Sequence, residues 1–354
     1  MVEQTEQKLP LRETLYSLAK RVMQHYINVY LELARQSLGF SNLSEEQLLN
    51  SDHKVIVLGG LGSPLDPFQV NSAQVVAEWQ RMQAVPFDPE LAVTKGVYIE
   101  LRNRVKELAE KLAQVTENFM RFDPHHICTH PYYLPILQRL ANISSKAELK
   151  RKIGHVSDHK ISMRAAEELA SLLNQRQPGR VITRTQLLQI IEPTLEGIVR
   201  DLVGRVLLES IVANALDEAG VPYKRESEYS SLKGVVYDFR ADFVIPDEQN
   251  PQVFIEVRKS SSRHASLYAK DKMFSAINWK GQHKNLLAVL VVDGAWTSQT
   301  LRIMTRVFDY ITPINRVSDV VEVISDYIQG DKSKLKKIID FVIYSAHQKD
   351  DTKE

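Results

Sequence analysis

Residues 237–264, YDFRADFVIPDEQNPQVFIEVRKSSSRH, contain two runs that predict adjacent strands of a buried sheet. In the first run, apolar residues from Phe239 to Ile245 alternate with polar ones, so Asp242 is expected on the strand face opposite the aromatic side chains. The second run, VFIEV at 253–257, is apolar enough for a central strand and yet contains Glu256. A carboxylate in a buried strand is costly unless it is paired or bound to a metal.

Asp242 and Glu256 are therefore candidate ligands of one cation. Carboxylates on adjacent antiparallel strands can converge on a single divalent ion. Mg²⁺ suits such a pair because it accepts one or two carboxylates and keeps waters and phosphate oxygens as its other ligands. The sequence thus predicts a Mg²⁺ site between these two strands.

The elements around these strands predict an α+β fold in which a mixed β-sheet core is flanked by helices. A long helix at about 185–219, which ends at Gly220, precedes the sheet. The elements after it alternate in type: strands at 223–229, 235–245 and 253–258, a helix near 265–278, a strand at Leu286–Val292, and helices near 298–309, 317–328 and 332–346.

The first half of the chain is predicted to be mainly helical, with one strand at Val55–Leu58. Its predicted helices lie at 11–38, 98–120, 133–142, 145–153 and 162–175. The polar segment QRQPGRV at 175–181 contains Pro178 and Gly179, which indicates a domain boundary. We therefore expect a helical domain at 1–178 and a second domain at 179–354.

Composition excludes several classes of protein. The 354 residues include 45 basic and 44 acidic side chains, so the overall charge gives no indication of a polyanionic partner. Cys128 is the only cysteine, which excludes an internal disulfide and disfavours a thiolate zinc site. No N-terminal apolar leader and no run near the roughly 20 apolar residues of a membrane span is present, so a cytoplasmic protein without a membrane partner is expected.

Asp242 followed by Glu256-Val257-Arg258, on consecutive strands after a helix, resembles the PD-(D/E)xK nuclease superfamily, which includes most type II restriction endonucleases. The resemblance covers residues 190–295. It implies a metal, Mg²⁺ with Mn²⁺ able to substitute, held by Asp242, Glu256 and the carbonyl of Val257. The basic residue after Glu256 would orient the attacking water or stabilise charge on the phosphate.

The chain departs from the family pattern at Arg258, where a lysine is expected, and Lys259 follows it. Arginine stays protonated, so it can stabilise charge but cannot act as a base. Three interpretations stay open: Arg258 acts electrostatically, a bulge lets Lys259 replace it, or the site is inactive. Side chains alternate along a regular strand, which favours Arg258 as the residue beside the metal.

Residues 258–284 contain seven basic side chains and one acid, Asp271, which predicts a DNA-binding groove or, alternatively, a solvated helix face. The predicted DNA contacts are Arg263, Lys270, Lys272, Lys280 and Lys284. Glu209, on the helix before the sheet, is either an accessory catalytic carboxylate or a boundary residue that reaches solvent.

Three further motifs have mainly structural interpretations. LGGLGSP at 58–64 lacks the residues of a nucleotide loop and predicts a turn. DPHHICTHP at 123–131 gathers potential zinc ligands, but packed histidines in a loop explain it better. The basic stretch at 146–164 either contacts DNA or forms an exposed helix face.

These observations predict a type II restriction endonuclease that cleaves double-stranded DNA, with the helical half adding DNA contacts or a dimer surface. A homodimer with one active site per subunit is the simplest way to cut both strands. The alternatives are a structure-directed or repair nuclease of the same superfamily, and a catalytically degenerate DNA-binding module.

Overall fold

The structure, a computed structural model, describes residues 13–84, 87–175, 183–260 and 265–342. It divides into two units, Met1–Val206 and Leu207–Glu354. The predicted boundary at 178/179 lies outside the described residues. The division at 206/207 falls inside a π-helical turn, Val203–Leu207, which interrupts the helix predicted at 185–219.

The described residues of the first unit are mainly helical, as predicted. Its helices are α1 (Leu15–Gln36), α2 (Ser51–Gly60), α3 (Ser72–Arg81), α4 (Pro89–Val115), α5 (Pro124–Thr129), α6 (Leu134–Leu140), α7 (Lys146–Ile153), α8 (Met163–Asn174) and α9 (Arg184–Leu202). Helix α9 belongs to this unit because it contacts α1, α4 and α6. Its buried stripe includes Leu187, Ile191 and Leu195.

The prediction of a strand at Val55–Leu58 is wrong, because these residues lie inside α2. All four side chains are buried, and a short apolar run has no periodicity that separates a strand from a buried helix. Gly60 ends the same helix, and a Cβ there would lie 2.2 Å from the ring of Phe87. The glycines of this motif therefore permit close packing, and only Gly62, at φ +63°, forms a turn.

The second unit has the α+β architecture that the sequence predicts: a helix, three strands, a helix and a strand. Its elements are α10 (Leu208–Glu218), β1 (Lys224–Arg225), β2 (Phe243–Ile245), β3 (Val253–Ser260), α11 (Ala265–Gln282), β4 (Leu287–Gly294), α12 (Ser298–Met304), β5 (Tyr310–Pro313) and α13 (Val317–Ile328). The sheet order is β1-β2-β3-β4-β5, with antiparallel pairing up to β3 and parallel pairing beyond it.

The sheet is buried on both faces, which explains why β3 and β4 are almost continuously apolar. Phe243, Ile255 and Val289 pack with α10 and α13 on one face. Phe254 and Leu290 pack with α11 and α12 on the other. None of the helices in the described part of the chain is long and apolar enough to cross a bilayer.

Several predicted boundaries change. The first two strands are shorter than predicted, because residues 226–228 form a 3-10 turn and an irregular loop leads from there to Asp242. The sequence did not predict β5, which is short and ends in a proline. The helix predicted at 332–346 is wrong for 332–342, which are irregular, and residues 343–346 lie outside the described part.

Lys280 lies in the interior of the second unit, which contradicts its predicted contact with DNA. Only 1% of the residue is exposed. Its Nζ donates hydrogen bonds to Asp309 Oδ2 at 2.6 Å and to the Leu286 carbonyl at 2.7 Å. Asp309 also accepts the backbone N–H of Ala288, so the pair ties α11 to the start of β4.

We expect Lys280→Ala to lower the free energy of unfolding by about 3–5 kcal/mol, because it leaves Asp309 buried without its cation. Equilibrium urea denaturation followed by tryptophan fluorescence measures the change. Lys284→Ala is the matched control, since Lys284 is exposed and its loss should change stability by less than about 0.5 kcal/mol. Equal small effects in both variants would contradict the structural role of Lys280.

Candidate active site

Asp242 is positioned by hydrogen bonds to the backbone of Ala241, to its own carbonyl and to its side chain. The hydroxyl of Tyr229 accepts the N–H of Ala241 at 2.6 Å and donates to the carbonyl of the same residue at 2.8 Å. The Asp242 carbonyl accepts the N–H of Glu226. The side chain points towards β3, where Oδ2 accepts the N–H of Val257 at 2.7 Å. These contacts fix the carboxylate although it lies just outside a regular strand.

The loop before Asp242 is attached to helix α11 by Asn278. The Asn278 side chain donates to the carbonyl of Tyr237 and accepts the N–H of Val236. Gly234 is required at this attachment, because a Cβ there would lie 1.9 Å from Asn278 Nδ2. Helix α11 therefore determines the course of the chain into the candidate site.

Glu256 occupies the middle of β3 and is completely buried. Its side chain lies on the face covered by α11, where Nζ of Lys272 is 2.7 Å from Oε2. The side chain of Arg258 reaches the same oxygen, with Nη2 at 3.2 Å. Both cations are at ion-pair distance from Oε2, whereas Oε1 has no hydrogen-bond donor in the described structure. Both cations therefore face Oε2, and Oε1 retains an open acceptor position among the described residues.

Arg258 contacts all three groups that the resemblance implies as metal ligands. Its Nη1 is 3.1 Å from Asp242 Oδ2 and donates to the Val257 carbonyl at 2.7 Å, while Nη2 faces Glu256. These ligands therefore converge on one position, and in this structure the guanidinium lies there. Asp242, Glu256 and Val257 are brought together as expected.

The interpretation that a bulge brings Lys259 into the site is wrong. Strand β3 pairs with β4 without interruption from Val253 to Ser260. Side chains therefore alternate regularly, and Lys259 faces away from Glu256, 3.4 Å from Asp293. The position beside the carboxylates belongs to Arg258, as strand alternation predicted.

Lys272 is the site residue that sequence reasoning assigned to another role. It is 5% exposed, which contradicts its predicted contact with DNA. A signal was present in the sequence, because Lys272 lies on the same helical stripe as Ala269, Ala276 and Trp279, all of them buried. A lysine on an apolar stripe needs a buried carboxylate, and Glu256 supplies it.

The described basic residues at 258–284 do not form one exposed cluster. Arg258, Lys259, Lys272 and Lys280 each pair with an acid from elsewhere in the fold. Among the described residues of this stretch, Lys270 and Lys284 are exposed, and Arg263 lies outside them. The excess of positive charge is therefore a property of the sequence window and not of one surface.

The carboxylates of the site strongly perturb one another. Burial, reinforced by the charge of Asp242, holds the pKa of Glu256 well above its usual range, and Lys272 and Arg258 oppose this shift. Burial and the charge of Asp242 also raise the pKa of Glu209 to about 7. Glu209 thus lies within electrostatic reach of the site, as expected for an accessory carboxylate.

The oxygen ligands of the site fit a hard divalent cation that takes few protein ligands and keeps several waters. In the described ranges, no group of three or more His, Cys, Asp or Glu side chains is arranged to hold a metal. Asp242 and Glu256 with the Val257 carbonyl offer two carboxylates and one neutral oxygen, a set that suits Mg²⁺. The open acceptor position of Glu256 Oε1 agrees with this fit, although the guanidinium of Arg258 would have to move away.

We expect Glu209→Gln to stabilise the chain at pH 8 and to have little effect at pH 4. Between the ordinary carboxyl value of 4.5 and about 7, the folded chain retains a proton at Glu209 that the unfolded chain has released, so this contribution to stability falls as pH rises. Thermal midpoints of both proteins at pH 4, 6 and 8 in metal-free buffer test this. A difference independent of pH would show that Glu209 titrates normally.

Comparison with known proteins gave no significant match to a family profile, to a curated protein or to a solved structure.

Proposed function

We propose that the chain is a Mg²⁺-dependent endonuclease that hydrolyses phosphodiester bonds in double-stranded DNA, in the manner of a type II restriction endonuclease. The observation that carries the proposal is the convergence of Asp242, Glu256 and the Val257 carbonyl on one position occupied by a positively charged group. A homodimer as the working form and the cytoplasm as the compartment are parts of the same proposal.

The proposed metal would be held by Asp242, Glu256 and the Val257 carbonyl, and when bound it would activate water and stabilise charge on the phosphate. The chain's own groups have separate roles. The contacts of Tyr229 and of the Val257 N–H orient the Asp242 carboxylate before any ligand arrives. Such preorganisation is a main source of catalytic rate enhancement.

Lys272 takes the role of the family's strand lysine in this proposal. Its Nζ lies beside Glu256 on the α11 side of the sheet, where it favours the ionised carboxylate against the effect of burial and would place positive charge near the phosphate. Arg258 would leave the carboxylates when the metal arrives, because two cations at one position repel each other. The guanidinium would then be free to contact phosphate oxygens.

The second candidate function is a catalytically degenerate DNA-binding module. The specific observation in its favour is that Arg258 already neutralises the three proposed ligands. A cation that belongs to the protein would make the metal dispensable and the fold stable without it. The two functions differ in whether Mg²⁺ displaces the guanidinium.

Incubation of phage DNA with the protein and Mg²⁺ or Mn²⁺, followed by sequencing of the ends, separates the possibilities. Discrete fragments with a common end sequence support restriction. Heterogeneous ends support a repair or structure-directed nuclease. Intact DNA with both metals, combined with measurable DNA binding, overturns the nuclease proposal in favour of the degenerate module.

Asp242→Asn and Glu256→Gln should each reduce metal-dependent cleavage to background, because an amide is a poor Mg²⁺ ligand and these changes preserve side-chain shape. Circular dichroism and DNA affinity should stay near those of the unchanged protein. Plasmid cleavage at saturating Mg²⁺ measures the effect. Substantial cleavage by either variant would remove that residue from the metal site.

Lys272→Met should lower the cleavage rate by roughly 10²–10³, the usual effect of removing one preorganised charge-stabilising donor. Lys270→Met is the matched control, since Lys270 lies on the same helix and is exposed. We expect it to change the rate less than about threefold, within ordinary surface effects. Similar losses in both variants would contradict the assignment of Lys272.

Arg258→Lys should lower the Mg²⁺ concentration needed for half-maximal cleavage. The shorter lysine cannot reach Asp242, Glu256 and the Val257 carbonyl together, so it competes less with the metal. Titration of cleavage with Mg²⁺ for both proteins provides the measurement. An unchanged or higher requirement would show that the guanidinium does not compete for the ligands.

A further inference from the structure

A cavity of about 450 Å³ opens in the first unit, bordered by α1, α6, α7, the loop at 154–160 and α9. Its volume lies within the roughly 300–1,000 Å³ typical of small-molecule sites. The cavity uses the basic stretch at 146–164, which the proposed nuclease site leaves unexplained. Its lining combines cations, an apolar wall and a few acceptors.

Four basic side chains line the cavity. Lys146 and Lys150 are one turn apart on α7, and His155 and His159 come from the loop that follows. All four are exposed. Within the described part of the chain, neither lysine forms an ion pair, whereas Lys152 on the same helix pairs with Glu148. Unpaired cations grouped around a cavity favour an anion, and two lysines with imidazoles suit a phosphate.

The inner wall is apolar and includes an aromatic ring. Leu149 is buried at the base of α7, and Ile198 of α9 contributes to the same wall. Tyr16 lines the cavity from α1, and its hydroxyl donates to Asp201 of α9 at 2.9 Å. A flat, apolar ring system would bury its faces here at little entropic cost to the protein.

Two hydrogen-bond acceptors, the side chains of Gln138 and Asp158, also line the cavity. Gln138 donates its amide to the Ile143 carbonyl, which leaves its own side-chain oxygen facing no protein donor in the described structure. Asp158 is half-buried, and the described residues supply no partner for its carboxylate. An aliphatic ligand would bury these acceptors without hydrogen bonds, at a cost of several kcal/mol. A ring that carries N–H groups on its edge satisfies them.

We infer that this cavity binds one nucleoside monophosphate unit. The phosphate contacts Lys146 and Lys150, the base lies against Tyr16 and the apolar wall, and the edge of the base donates to Asp158. The unit comes either from a free nucleotide or from a nucleotide of a DNA strand whose base has left the stack. This inference does not depend on the proposed nuclease activity, because it concerns different residues and requires no metal.

The test is isothermal titration calorimetry of the full chain in metal-free buffer with dAMP, dCMP, dGMP and dTMP. We expect saturable 1:1 binding of at least one of them. Inorganic phosphate alone and the matching nucleoside alone should bind at least about tenfold more weakly, since each supplies only part of the contacts. Absence of binding by all four nucleotides overturns the inference, and so does equally strong binding of phosphate alone.

A matched pair of variants locates the site. The double variant Lys146→Gln, Lys150→Gln should weaken nucleotide binding about tenfold or more, because it removes two charge-assisted contacts. Arg151→Gln removes an exposed charge from the same helix but outside the cavity and should leave affinity unchanged. Thermal midpoints confirm that the variants fold. Equal losses in both proteins would indicate nonspecific attraction and overturn the assignment.

Competition identifies the source of the nucleotide. Single-stranded oligodeoxynucleotide and an abasic oligomer of the same length and charge are titrated against the bound nucleotide. Displacement by the base-containing strand alone assigns the cavity to a nucleotide of DNA. Displacement by neither assigns it to a free nucleotide. Equal displacement by both means that charge alone occupies the cavity, which overturns the inferred recognition of the base.

Discussion

The burial of the Glu256 carboxylate inside a sheet that is covered on both faces is the constraint on which the second unit depends. Such a charge is tolerated only when cations surround it, and the fold supplies one from α11 and one from the same strand. Because Lys272 must reach Glu256, the helix has to dock on β3 in one register. Because Arg258 must reach Asp242 as well, the loop before β2 has to bring that carboxylate alongside.

The sequence was most informative where local pattern and burial coincide. Strand β3 and helix α13 were predicted within a few residues, since apolar runs and helical spacing leave little ambiguity there. The pairing of Asp242 with Glu256 was also foreseeable, because two carboxylates near buried strands need a shared partner. The identity of that partner was not, because which cation reaches a carboxylate depends on helix docking.

Charge clusters illustrate the limit of reasoning along the chain. Counting residues 258–284 gives a strong excess of positive charge, but acids that neutralise it, Asp242, Asp293 and Asp309, all lie outside that window. The same limit applies to Val55–Leu58. All four side chains are buried in α2, and only the surrounding helices show why. Local composition predicts which side chains need partners, and tertiary contacts decide where those partners are.

The attachment of the 232–241 loop to Asn278 has a mechanical consequence. Lys272 and Asn278 are six residues apart on one helix, a separation of about 9 Å along its axis, so any shift of the helix would displace both side chains together. Lys272 places positive charge beside Glu256, and Asn278 binds the loop that leads to Asp242. A shift of α11 relative to β3 would therefore move Lys272 and the 232–241 loop together with respect to Glu256. The relative positions of Asp242, Glu256 and Lys272 therefore depend on where α11 lies along the sheet. The edge-to-face contact of Trp279 on α11 with Phe254 on β3 helps to set that position.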